Sequence, residues 1–150
     1  MKPIARIICV GSRLYPEDSA GPLVHDRLLA GGLPADVALV DGGLGGLDLL
    51  RYVDDCERVV FVDALDEPGT RAGVYLLDPQ DLARQADEAY DHAAGLAFLL
   101  RMIPIALDGA VPELHVIGVQ GGPDPLLVAK AADTAARLAA GVVGEVAGQP

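Results

Sequence analysis

Five short runs of the chain are apolar at nearly every position, and the first three end in a loop of small or acidic residues. The five are Ile4–Val10, Val37–Val40, Val59–Val62, Val74–Leu77 and Leu114–Val119. A strand apolar on both faces belongs at the centre of a parallel sheet covered by helices on either side. The run Val74–Leu77 follows Glu67-Pro68-Gly69-Thr70, a turn short enough to lead into an antiparallel edge strand. Between the runs, apolar residues recur at helical spacing. Ala20, Leu23, Val24 and Leu28 form one stripe, and Leu96, Leu99, Leu100 and Ile103 a second. Val128, Ala131, Ala132, Ala135, Leu138, Ala139 and Val142 form a long, Ala-rich third. Pro22 is tolerable in the first turn of its helix, Asp91 is placed to cap the second, and Asp124-Pro125 opens the third as N-cap and first-turn proline. Leu44 to Tyr52 predicts a short helix after the second strand. Strands alternating with helices predict an α/β fold: a three-layer α/β/α sandwich around a mostly parallel, twisted five-stranded sheet. Residues 1–150 read as a single domain, without repeat, linker or low-complexity tract.

Charge narrows the function classes. Asp and Glu number 22 against 11 Lys and Arg, a formal net charge of -11. Such a surface repels phosphate backbones and anionic lipid, so neither nucleic acid nor membrane is an expected partner. No apolar run approaches the roughly 18 residues of a membrane span. Met1-Lys2-Pro3 leads straight into a strand-like segment with no signal-peptide pattern. Cys9 and Cys56 have no CxxC spacing and read as reduced, buried thiols. The expected compartment is the cytoplasm.

The loops lack several familiar devices. Asp41-Gly42-Gly43-Leu44-Gly45-Gly46 lies between a strand and a helix, but position 48 is Asp, which breaks the dinucleotide G-x-G-x-x-G spacing. Lys2 and Lys130 are the only lysines, and no phosphate loop contains either. Ser12 and Ser19 are the only serines, and neither stands in G-x-S-x-G. Among the histidines, His115 reads as a satisfied strand residue and His25, beside Asp26, as a solvated helix residue.

His92 differs. It follows Asp91 at a predicted helix start, where the helix dipole disfavours the imidazolium and leaves a neutral ring able to bind metal. Glu17 and Asp18 lie in the loop after the first strand, and Asp63 closes the third. Both loops emerge at the carboxyl edge of a parallel sheet, where such folds place their sites. One carboxylate from each, with a histidine from a later loop, makes an O, O, N set with open positions, suited to Zn²⁺ or Ni²⁺. Each residue also has a plain structural role open to it: helix capping for Glu17, Asp18 and His92, a strand-end turn for Asp63.

An ordered series of segments resembles the hydrogenase maturation endopeptidases, which trim the large subunit of nickel-iron hydrogenases. It begins at Ile8-Cys9-Val10-Gly11-Ser12 and Pro16-Glu17-Asp18-Ser19-Ala20-Gly21-Pro22, similar to the family's strand, Gly-Asn, acidic pair and Gly-x-Gly. It continues through Val40-Asp41-Gly42-Gly43, Val60-Phe61-Val62-Asp63-Ala64, His92-Ala93-Ala94-Gly95-Leu96 and Ile117-Gly118-Val119-Gln120. Ser12, Ser19 and Gly121 stand where the family usually has Asn, Gly and Pro. The resemblance implies that Asp18, Asp63 and His92 are metal ligands, that Gly42 and Gly43 contact substrate, and that Glu17 is a candidate base behind the ligands. It implies nickel brought by the substrate, with zinc or cadmium able to stand in for it. The implied reaction is removal of the C-terminal extension of a nickel-iron hydrogenase large-subunit precursor after nickel insertion, by water attack on a metal-polarised carbonyl. The alternative on the same scaffold is a non-catalytic metal sensor that checks assembly.

Overall fold

A computed structural model describes residues 2–86 and 95–142. Five strands form one sheet in the order β2-β1-β3-β5-β4: β1 Ala5–Val10, β2 Val37–Gly43, β3 Arg58–Leu65, β4 Gly73–Leu77 and β5 Glu113–Gln120. β1, β2, β3 and β5 run parallel, with Ala5 paired to Val37 and to Arg58, and Arg58 to Glu113. β4 is antiparallel to β5, with Gly73 opposite Gln120. This is the predicted mostly parallel sheet with one antiparallel edge.

Helices cover both faces. α1 (Ala20–Gly31) and α4 (Pro125–Ala139) bury Val24, Leu28, Val128, Ala135 and Leu138 against Ile7, Cys9, Val60, Val62, Ile117 and Val119. On the other face, α3 (Leu96–Ala106) packs Leu99, Leu100 and Ile103 on Ile8, Val59, Phe61 and Val116. α2 (Pro79–Gln85) adds Leu82 and Ala83 to that layer, beside a 3-10 turn at Leu47–Tyr52. Successive residues of β1, β3 and β5 therefore feed opposite cores, which is why these strands are apolar without alternation. Phe61 is wholly buried, and burial of such a side chain contributes roughly 1.5–3 kcal/mol.

Several predicted details change. α1 turns Pro22 rather than Leu23 to the core, because Gly21 seats the helix against β1, and Leu23 is exposed. α4 stops at Ala139, so Val142 lies beyond it and is exposed; Asp124 caps it by accepting from the Leu126 N–H at 2.8 Å. The turn after β2 is helical only from Leu47. α2 has no counterpart among the elements that the apolar pattern predicts. α3 begins with Gly95 as its N-cap, and the expected cap Asp91 lies outside the described residues. His25 is half-buried rather than solvated, with Nδ1 3.2 Å from Asp26 Oδ1. His115 is half-buried on β5 with Nε2 2.8 Å from Glu113 Oε2. Cys9 is buried and Cys56 only partly so; both are free thiols. Among the described residues, no helix is long and apolar enough to cross a membrane.

Candidate functional site

The sheet order sets where a site can form. The chain leaves β1 for β2 on one side, and leaves β3 for β4 and β5 on the other. The two departing connections diverge and open a crevice at the carboxyl ends of β1 and β3, the usual ligand position in an open α/β sheet.

The loop after β1 folds back over this crevice. Gly11 has a φ of +145°, and a Cβ there would stand 2.3 Å from the Asp18 carbonyl oxygen. The Ser12 N–H donates to that carbonyl at 2.9 Å, closing the loop on itself. Pro16, Glu17 and Asp18 form one 3-10 turn. Ser19 follows with a negative φ of -98° and donates its hydroxyl to the Pro16 carbonyl at 2.8 Å, so this backbone does not require glycine at position 19. Position 21 does require it: a Cβ on Gly21 would lie 2.0 Å from the Val10 carbonyl oxygen.

Asp18 is half-buried on the inner side of the turn, whereas Glu17 is exposed. Asp63 does not close β3, which runs on to Leu65 because Ala64 and Leu65 still pair with Val119 and Gln120; half-buried two residues before the strand's end, Asp63 accepts the Ala64 N–H at 2.8 Å through Oδ1. Burial pushes the Asp63 carboxyl up from 3.8 to about 7, and the negative charge of Asp18 pushes the same way, against the Ala64 hydrogen bond. A shared proton or cation relieves the repulsion between two carboxylates coupled in this way. Asp63 lies on the same face of β3 as Val59 and Phe61, in a cavity of ≈ 290 Å³ shared with Gly95, Leu96 and Ala97 at the start of α3. His92 lies outside the described residues. Among the described residues, no three His, Cys, Asp or Glu side chains form a metal-binding group; Asp18 and Asp63 stand as a pair.

The glycines that end β2, Gly42 and Gly43, border the crevice. The Gly11 N–H donates to the Gly43 carbonyl at 2.7 Å. Gly42 packs against the Cys9 carbonyl, where a Cβ would stand at 3.1 Å, while Gly43, at φ +58°, faces open space. Leu14, Tyr15 and Leu44 on the loops after β1 and β2 are exposed apolar side chains.

Two fastening residues were not singled out from the sequence. Arg13 bridges Asp26 at 2.6 and 2.9 Å and Asp41 at 3.0 Å, tying the loop to α1 and to the end of β2. This guanidinium holds the Asp26 carboxyl down to about 2. Gln120 grips the backbone of Glu67, accepting from its N–H at 3.0 Å and donating to its carbonyl at 3.2 Å. The following residue, Gly121, has a φ of +114°, which a proline cannot adopt.

Comparison with known proteins agrees with this architecture. Residues 24–134 match the family model described as hydrogenase maturation protease. That span contains Asp63 and His92 and begins after Asp18. A protein of Methanocaldococcus jannaschii named as a hydrogenase maturation protease is 33% identical, the alignment covering 93% of this chain and 94% of that one. The hydrogenase maturating endopeptidase HybD of Escherichia coli superposes with a TM-score of 0.70 at 21% identity, over 89% of each chain. The nickel-iron hydrogenase maturation protease HycI of Thermococcus kodakarensis gives 0.70 at 23% identity, covering 94% of this chain and 93% of its own.

Proposed function

The chain belongs to the hydrogenase maturation protease family, and from that membership we propose that it removes the C-terminal extension of a nickel-iron hydrogenase large-subunit precursor once nickel has been inserted. The observation that carries the reading is the Asp18–Asp63 pair at the crevice between β1 and β3. Like charges this close raise the energy of the empty site, and a divalent cation removes that repulsion. The metal arrives as part of the substrate, so binding strength reports whether nickel insertion is complete.

The donor set fits nickel or zinc in kind: two carboxylates, and His92 as the nitrogen donor. His92 precedes by three residues in the sequence Gly95, which lines the cavity that holds Asp63. Cadmium should occupy the same donors in place of nickel. Asp63, oriented by the Ala64 N–H, and Asp18, oriented by its turn, fix the precursor metal at one point. The scissile carbonyl then lies beside that metal, which polarises it for attack by water. Glu17, exposed one residue from Asp18, takes the proton from the attacking water. The open side of Gly43 admits the substrate backbone. The products are a new C-terminal carboxylate and a released peptide with a free amine.

The test is cleavage of purified precursor with and without inserted nickel. Nickel-loaded precursor should be cut and nickel-free precursor left whole. Equal cleavage of both would refute recognition through the metal.

A further inference from the structure

β4 is one of the two edge strands of the sheet: β5 lies on one side, and among the described residues no strand pairs with the other. A groove of ≈ 1060 Å³ follows that edge. It touches Leu82 of α2 and Leu127 of α4, which cover opposite faces of the sheet. One cavity reaches both only by passing around the edge of β4. The cavity that holds Asp63 shares Leu65, Leu77, Leu82 and Gln85 with this groove, so the carboxylate site and the strand edge are adjoining chambers with common walls.

Two properties indicate the occupant. A free strand edge offers a row of unpaired N–H and C=O groups, which an extended peptide satisfies residue by residue. Charge indicates the kind of peptide. Asp78 caps α2 by accepting the Gln80 N–H, and Asp81 pairs with Arg84. Arg71 and Lys130, by contrast, line the groove without an ion pair among the described residues, in a chain of net charge -11. Arg71 precedes the Gly73 end of β4, whereas Asp78, which keeps its charge as a helix cap, follows the Leu77 end, so the groove is basic toward one end of the strand rather than along its whole length.

Resting on the function proposed above, we infer that the precursor's C-terminal tail binds as an added strand along β4, with anionic groups against Arg71 and Lys130. The tail then leads from the strand edge into the chamber of Asp63, and its backbone pairing gives affinity without demanding one sequence.

The test uses nickel-loaded large-subunit precursor as probe, with the wild-type chain, the double variant R71E/K130E and the conservative R71K/K130R. R71E/K130E should raise KM about tenfold by opposing the tail's charge, and R71K/K130R should stay within about twofold of wild type. Amide hydrogen exchange of Gly73–Leu77 should slow when precursor binds. Precursor cut normally by R71E/K130E, with exchange in β4 unchanged, overturns the inference while leaving the protease reading intact. Precursor uncut by the wild-type chain overturns both.

Discussion

Replacing Asp63 with Asn gives a test that needs no substrate. In the metal-free protein the Asp63 carboxyl titrates near 7 instead of 3.8, because burial and the Asp18 charge disfavour ionisation. A raised folded-state pKa means that the folded state holds its proton more tightly than the unfolded chain. Its stabilising contribution is complete below about pH 4, declines as pH rises, and is gone above about pH 7. At 1.36 kcal/mol per pH unit, these two values imply a loss of at most about 4 kcal/mol over the full range and about 2.5 kcal/mol between pH 5 and 8. Water reaching a half-buried carboxyl lowers the second figure to roughly 2 kcal/mol. D63N does not titrate, so wild type should lose roughly 2 kcal/mol more than D63N between those pH values. The assay is urea unfolding at pH 5, 6, 7 and 8 in the presence of chelator, with groups common to both proteins cancelling in the difference. D18N should flatten the wild-type profile less than D63N does, since burial outweighs the Asp18 charge as the cause of the shift. Parallel stability profiles for wild type and D63N would refute the coupled carboxylate pair.

Two further expectations concern the frame around the site. Gly21→Ala should destabilise by about 3 kcal/mol or more in thermal unfolding, because its Cβ would meet the Val10 carbonyl at 2.0 Å, whereas Gly43→Ala, with open space and only a φ of +58° to strain it, should cost about 1 kcal/mol. Cys9, buried and with its thiol pushed up to about 12, should resist thiol reagents at pH 8 until the protein unfolds, and Cys56 should react first.

The strands were legible because a two-sided core demands apolar runs, and Ile4–Val10 and Val59–Val62 need no partner to be recognised. α4 was legible for the same kind of reason, a long stripe behind an Asp-Pro start. α2 carries the same Asp78-Pro79 start, but it offers the core little beyond Leu82 and Ala83, too little periodicity to detect. The apolar spacing misplaces the buried face of α1 at Leu23 because the contact of Gly21 with the Val10 carbonyl, which sets the helix's rotation, is a tertiary one.

Position in the chain gathers Glu17, Asp18 and Asp63 at the carboxyl edge of a parallel sheet, and the resemblance singles out Asp18 and Asp63 among them. The structure adds that Asp18 rather than Glu17 faces Asp63. The fastenings were not legible. Arg13 reaches Asp41 across 28 positions and Gln120 reaches Glu67 across 53, and such pairings leave no local pattern in the chain. The serine at 19 and the glycine at 121 acquire reasons only from backbone angles, a negative φ in one case and a positive φ in the other.

The most direct measurement is the mass of the nickel-iron hydrogenase large subunit in cells lacking this chain, complemented with wild type or with D63A. The untrimmed precursor should persist in the deletion and with D63A, and the mature mass should return with wild type alone. A mature large subunit in the deletion strain would contradict the endopeptidase assignment and favour a metal sensor on this scaffold.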